Sequence, residues 1–528
     1  MNAYVPFLIF FGLTLASASQ SQDRQPDHDS YPLRPYQTSL IHSKLKALTE
    51  SEDYLSDVFE MERRGLNQAK TKTQPWGGYY WALDQGGIAN SYMDSNFLSN
   101  LDPGRRDWKD NVKDYKKRAQ ELHPRIYTLS EDQLAKLSPS EKYDILLGDT
   151  TFDLTNKVWA HTENWGHKKK WAYLSAIDMP AGYVTKPLSG DLLKIASWEG
   201  ICHGWALAAG NTPRPEKTVE VTLPNGKKMP FYPTDIKALV SLLWANSNVQ
   251  NDVIFEGKRC NSKKTVRDDR GRYLEPECAD VHPGVFHAAV VNIVGLEGRS
   301  LVVDKSAEFS IANQPVAGYQ LEYFNPRNGT AGPLAKSLIA LQQYASEDPF
   351  AISRNGEATH IVGVNMKLQY TKWESPKKGK TNSQKKDGMG EMEFNYDLEI
   401  NLQGEIVGGQ WRVKRNGDSS FFGRTTGQPD FFWLAPKNWK KNFTGLSGLP
   451  QWDFSKSSLP PKQYSKAALG AHSYVYEESA KFLINPPKCS VVPENGVGAT
   501  LSVECAFRFP QPQPLVQVVD KLVELSRE

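Results

Sequence analysis

Apolar residues recur at Ile236, Leu239, Val240 and Leu243, three and four apart, which predicts a helix over residues 235–245. Residues 39–69 carry Leu40, Leu45, Leu48, Leu55 and Phe59 among charged neighbours and also have helical composition. Ser138-Pro139-Ser140-Glu141 reads as a helix start: a Ser cap, Pro at the first helical position and Glu at the third. Residues 192–210 are mostly apolar and small, as in a buried helix. Elsewhere the period is two. Residues 219–231 alternate around Pro224-Asn225-Gly226, a hairpin signal. Residues 286–294, 301–303 and 358–370 read as strands. Beyond a basic, Lys- and Gly-rich stretch, Tyr396, Leu398, Ile400 and Leu402 alternate up to a Gln403-Gly404 turn, and another strand runs to Trp411. A helical N-terminal region and a β-rich C-terminal region predict an α+β fold.

The 528 residues allow roughly two to four domains. The net charge of +3 argues against a dedicated nucleic-acid binder, which needs a strong basic excess. Residues 5–15 form an apolar run followed by Ala16-Ser17-Ala18, small residues suited to cleavage, so residues 1–18 read as a secretory signal peptide. The stretch before the run has no Lys or Arg, and an uncleaved anchor is the competing reading, for which the run is short. No later segment has the length and apolarity of a membrane span, which predicts a secreted or periplasmic protein.

Cysteine usage fits that compartment. Cys260 with Cys278, and Cys489 with Cys505, make two sequence-local pairs, and each disulfide would stabilise by about 3 kcal/mol. Cys202 is left over, and an odd thiol in an exported chain is either a liability or a tool. It lies in Trp198-Glu199-Gly200-Ile201-Cys202-His203-Gly204-Trp205, ahead of helix-forming residues. At a helix N-terminus the backbone dipoles and free N–H groups favour thiolate and can serve as an oxyanion hole. The competing reading is a buried free Cys in a small-residue helix.

His287 heads the 286–294 run and Asp304 ends the next one, so two antiparallel neighbours would set imidazole beside carboxylate. A tight turn at Gly295-Leu296 puts them opposite each other; a turn centred on Glu297 offsets them, and the register stays open. The expected triad is Cys202 as nucleophile, His287 as its acid–base partner and Asp304 orienting the ring. His203, His282, His360 and His472 are the other candidate bases. Trp198 and Trp205 flank the nucleophile and are candidate walls of a substrate channel, or ordinary core aromatics. No zinc or EF-hand spacing appears, so no metal ligands are assigned.

Several blocks resemble the transglutaminase elicitor family of oomycetes and some bacteria, within the transglutaminase and papain-like superfamily. They include Tyr79-Tyr80-Trp81 with Gly86-Gly87-Ile88-Ala89-Asn90, Gly200-Ile201-Cys202-His203-Gly204-Trp205-Ala206, Val303-Asp304-Lys305-Ser306, Asn313-Gln314-Pro315-Val316-Ala317-Gly318-Tyr319 and Gln428-Pro429-Asp430-Phe431-Phe432-Trp433. Ala317 stands where the family's elicitor peptide usually has a basic residue, and Gln428 where His is expected. The plain alternative for residues 313–319 is a Pro-containing surface turn. The resemblance implies a papain/transglutaminase-like core, a Cys-bearing helix against an antiparallel sheet. It also implies acyl transfer from protein glutamine to a lysine amine, with release of ammonia, and calcium dependence. Protein substrates carrying Gln and Lys are the implied partners, with no nucleic acid. The expected organisation is a signal peptide (1–18), a polar, helical segment or propeptide (19–74), a catalytic domain (75–370), a basic linker (371–392) and a β-rich C-terminal region (393–528). A papain-like cysteine amidase or peptidase shares every catalytic group, and a non-catalytic recognition protein is the third alternative.

Overall fold

The structure is a computed structural model. It describes residues 37–94, 107–177, 195–246, 253–413 (apart from 263, 264, 269, 306 and 308), 427–439, 452–456, 460, 488–493, 501–506 and 514–528. The expected signal peptide and His472 lie outside these residues.

A ten-stranded antiparallel sheet organises the chain. Its main path runs β11 (Ile406–Trp411), β10 (Met389–Ile400), β9 (His360–Thr371), β6 (Asn313–Phe324), β5 (Val302–Asp304), β12 (Phe431–Leu434) and β4 (Ile254–Gly257). Short strands β1 (Gln68–Lys70), β7 (Ala331–Gly332) and β8 (Ile339–Ala340) flank β6 and β9. The predicted hairpin forms as β2 (Val219–Thr222) against β3 (Lys228–Phe231).

Alternation along the strands divides the apolar side chains between two cores. Val302, Phe431 and Trp433 face one, with the helices Trp108–Leu122, Pro139–Leu146, Cys202–Asn211 and Pro233–Asn246. Val303, Phe432 and Leu434 face the other, with the helices Thr38–Thr49 and Pro283–Val290. The expected cap at residue 138 is a reciprocal capping box, Glu141 N–H to Ser138 Oγ at 3.2 Å and Ser138 N–H to Glu141 Oε2 at 2.9 Å.

Three expectations need correction. Residues 286–294 are not a strand: Pro283–Val290 is an α-helix, continued by a π-helical turn over Val291–Leu296. Pro283 occupies the first helical position, the His282 ring accepts from Gly284 N–H at 3.1 Å, and the run is buried on every side, so it needs no alternation. Residues 371–392 do not separate two domains, because β9 and β10 pair from Thr371↔Met389 to His360↔Ile400 and the same sheet continues through β11 and β12. The segment before residue 75 likewise belongs to the core: Ile41, Leu45, Leu48, Val58 and Met61 are buried, and β1 pairs with β6.

Candidate active site

The site forms where β5 ends at Asp304, β6 begins at Asn313 and β12 begins just after Asp430. The register pairs Asp304 with both Asn313 and Phe431. The helix Cys202–Asn211 packs beside these strand ends, and Cys202, a half-buried residue with a free thiol, is its first residue.

Two glycines allow that placement. A Cβ at Gly200 would lie 2.3 Å from the Tyr80 carbonyl oxygen, and one at Gly204 would lie 2.2 Å from the Ser241 carbonyl oxygen. Around Gly200 the chain is clasped by Ile201 N–H to Tyr80 O at 2.7 Å and Leu83 N–H to Glu199 O at 2.9 Å. The thiol is therefore held between the aromatic segment near residue 80 and the helix Pro233–Asn246.

Asn313 Nδ2 donates to Cys202 Sγ at 3.5 Å, while its Oδ1 accepts from the Trp433 indole at 3.2 Å. The Asp304 carboxylate is close enough to act on the thiol electrostatically, and its Oδ1 accepts from Ala312 N–H at 3.0 Å. Burial first, and then the Asp304 charge, push the Cys202 pKa up, against hydrogen bonds from Asn313 and the His203 backbone that favour thiolate. Burial thus works against the thiolate that a helix start favours.

Asp430 joins this group from the other side. Its backbone N–H donates to Asp304 O at 3.1 Å, and its carboxyl oxygens accept from Cys260 N–H at 3.0 and 2.9 Å. Burial is the main cause that pushes its pKa up to about 8. The Cys260–Cys278 disulfide is formed as expected. Gln428 Nε2 donates to Cys278 O at 3.0 Å, so both half-cystines hold the chain that leads into β12. Cys489 and Cys505 stand directly opposite each other in the antiparallel pair β13 (Lys488–Pro493) and β14 (Leu501–Ala506).

His287 is not part of this cluster. Its helix contributes to the opposite core, so the sheet separates it from the Cys202 helix. Its Nδ1 bonds the Tyr396 hydroxyl at 2.9 Å, and its Nε2 has no hydrogen-bond partner among the described residues. Burial lowers its pKa to about 3, so the ring is neutral. The expected hairpin with the Asp304 strand fails for the same reason: that place beside β5 belongs to β6. His203 packs its ring against the Ala245 backbone, His282 caps its own helix, and His360 bonds Thr359 at 3.0 Å.

Trp205 is interior, 1% exposed, and donates to Trp76 O at 3.2 Å, so it is core rather than channel wall. Trp198 is half-buried and meets Phe309 edge-on. Residues 313–319 are a buried strand, not a surface turn. Pro315, which has no N–H to donate, sits where pairing with β9 has not yet begun. Among the described residues no group of three or more His, Cys, Asp or Glu side chains is arranged to hold a metal, so no calcium site is assigned. No described helix is long and apolar enough to cross a membrane.

The sequence reading did not single out Asn313, Trp433 or Asp430 as site residues. A signal was present, because the blocks around 202, 304, 313 and 430 that carry the family resemblance are the ones that meet in space.

The fold and site define an α+β protein in which a cysteine-bearing helix packs on an antiparallel sheet. Residues 180–454, a little over half of the chain, match the transglutaminase elicitor family, and the chain belongs to that family. Among solved structures it is similar to the GP42 transglutaminase from Phytophthora sojae, at 20% identity over 75% of this chain and 90% of that one, with a TM-score of 0.44. No curated protein matches the chain.

Proposed function

We propose that the chain is a secreted protein-glutamine γ-glutamyltransferase with Cys202 as its nucleophile. The observation that carries this reading is the setting of the free thiol: first residue of a helix, donated to by Asn313 and beside Asp304. The Cys202 sulfur attacks the carboxamide carbon of a substrate glutamine as its proton passes to Asp304. The carbonyl oxygen, now negative, takes hydrogen bonds from Asn313 Nδ2 and from N–H groups at the helix start. Asp304 returns the proton to the nitrogen, the C–N bond breaks and ammonia leaves. A neutral lysine amine then attacks the thioester, the C–S bond breaks, and the amine's proton returns to sulfur.

Burial disfavours a free thiolate, so in this reading activation coincides with attack, which suits a carboxylate held beside the sulfur. Membership of the transglutaminase elicitor family and the buried Cys260–Cys278 disulfide, which suits an oxidising compartment, support the secreted-transferase reading. The test is ammonia release from a glutamine-containing protein, measured together with incorporation of a primary amine. Matched yields of the two support the transferase. Deamidated glutamine or cut peptide bonds at saturating amine identify a cysteine amidase or peptidase instead.

A further inference from the structure

Arg259 lies beside the thiol site in an arrangement that the chemistry above does not use. Its guanidinium carbon sits 4.8 Å from the Phe309 ring centre and 5.4 Å from that of Trp198, whose rings meet edge to face with centres 6.2 Å apart. Glu199, Asp304 and Asp430 act on it electrostatically. Two aromatic rings against the guanidinium, with three carboxylates within electrostatic reach, make a cage for a cation.

The occupant uses few of its hydrogen-bond donors. Arg259 Nη2 donates to the Phe309 carbonyl at 2.6 Å. Among the described residues its Nε has no hydrogen-bond partner and the guanidinium forms no ion pair within 4.0 Å. The side chain is also only partly buried. A guanidinium built in for stability alone would be expected to use its fork of donors on the carboxylates around it.

We propose that the Trp198–Phe309 cage is the subsite for the acceptor's alkylammonium group, and that Arg259 fills it at rest as an internal stand-in for that cation. This rests on the transferase reading. The choice of Arg is chemically apt: a guanidinium keeps its proton at neutral pH, so it cannot attack the thioester as a lysine amine can. An acceptor lysine enters as its ammonium by displacing Arg259 toward solvent, gives up one proton to Asp304, which is ionised again once ammonia has left, and attacks the thioester as the neutral amine. A plug in place nine-tenths of the time would lower apparent acceptor affinity about tenfold.

The test is a calorimetric titration of n-butylammonium chloride into the Cys202→Ala protein, with and without Arg259→Ala. Removal of Arg259 is expected to tighten binding by roughly three- to tenfold, and adding Phe309→Ala is expected to abolish the gain. Unchanged or weaker butylammonium binding without Arg259 overturns the proposal. This readout needs no turnover, so loss of the transferase reading, seen as no ammonia release by the wild type, is separately visible. If Arg259→Ala does not fold, Arg259→Lys in the active enzyme serves instead. Incubated with a glutamine donor peptide, it should carry that peptide on position 259 as an isopeptide, found by mass spectrometry. Its absence in a variant that still releases ammonia contradicts the proposal.

Discussion

Asn313 Nδ2 stands 3.5 Å from Cys202 Sγ, and the other end of the same amide is held by the Trp433 indole at 3.2 Å. The amide is thereby fixed in orientation: with its oxygen engaged by an N–H donor, its nitrogen must face the sulfur. A strand six places later in sequence order, β12, thus sets the geometry of a group on β6.

Asn313→Ala should therefore lower kcat by about 10²- to 10³-fold, the usual cost of one donor at a developing oxyanion. Trp433→Phe, which frees the amide without removing it, should lower kcat less and leave KM for the glutamine donor nearly unchanged. Steady-state kinetics on variants checked for folding by circular dichroism decide this. An Asn313→Ala enzyme as fast as the wild type would remove the residue from the site.

His287→Gln should affect stability rather than catalysis. Losing the buried bond to Tyr396 should cost about 1–3 kcal/mol at pH 7, with activity per folded molecule close to wild type. The pH dependence has a definite sign. Burial holds the folded-state pKa near 3, while an unfolded histidine takes its proton near 6.5. The stabilising contribution of the neutral ring is present above pH 6.5 and is lost as pH falls toward 3. Between pH 6 and 4 the wild type should lose about 1.4 kcal/mol per pH unit more than His287→Gln. Urea unfolding at a series of pH values measures both slopes, and parallel slopes would contradict a buried neutral imidazole.

The disulfide framework makes a third prediction. Non-reducing peptide mapping should recover Cys260–Cys278 and Cys489–Cys505, with Cys202 alone alkylated. Replacing Cys260 and Cys278 together by Ser should cost about 3 kcal/mol for a loop of this size. It should also reduce kcat, because Cys260 N–H anchors Asp430 and Gln428 bonds Cys278 O. A variant that loses stability but keeps full kcat would confine the disulfide to a structural role.

Much of the fold was legible because local physics agreed with the tertiary structure. The capped helix start at Ser138, the Asn225-Gly226 hairpin and the alternation of β9 and β10 each carry a signal within a few residues. The free cysteine at a helix start was legible for the same reason, as an unpaired cysteine followed by helix-forming residues. His287 was misread because a continuous apolar run has no period. Burial on all sides suits a helix between layers as well as a strand, and only Pro283 argued for the helix. Asn313 and Asp430 were not legible as site residues because their place depends on register between strands far apart in sequence, β5, β6 and β12. No spacing rule reaches that far. The basic segment before β10 looked like a domain linker because charge and glycine mark solvent exposure, which a long hairpin connection shares.

The most direct measurement is ammonia release and biotinylated-amine incorporation on a glutamine-rich protein, by the wild type and by Cys202→Ala. The wild type should release ammonia and incorporate amine in equal amounts. Cys202→Ala should do neither while keeping its far-ultraviolet circular dichroism and its melting temperature. Turnover retained by Cys202→Ala, or a wild type whose thiol is modified by substrate without release of ammonia, would contradict the central claim.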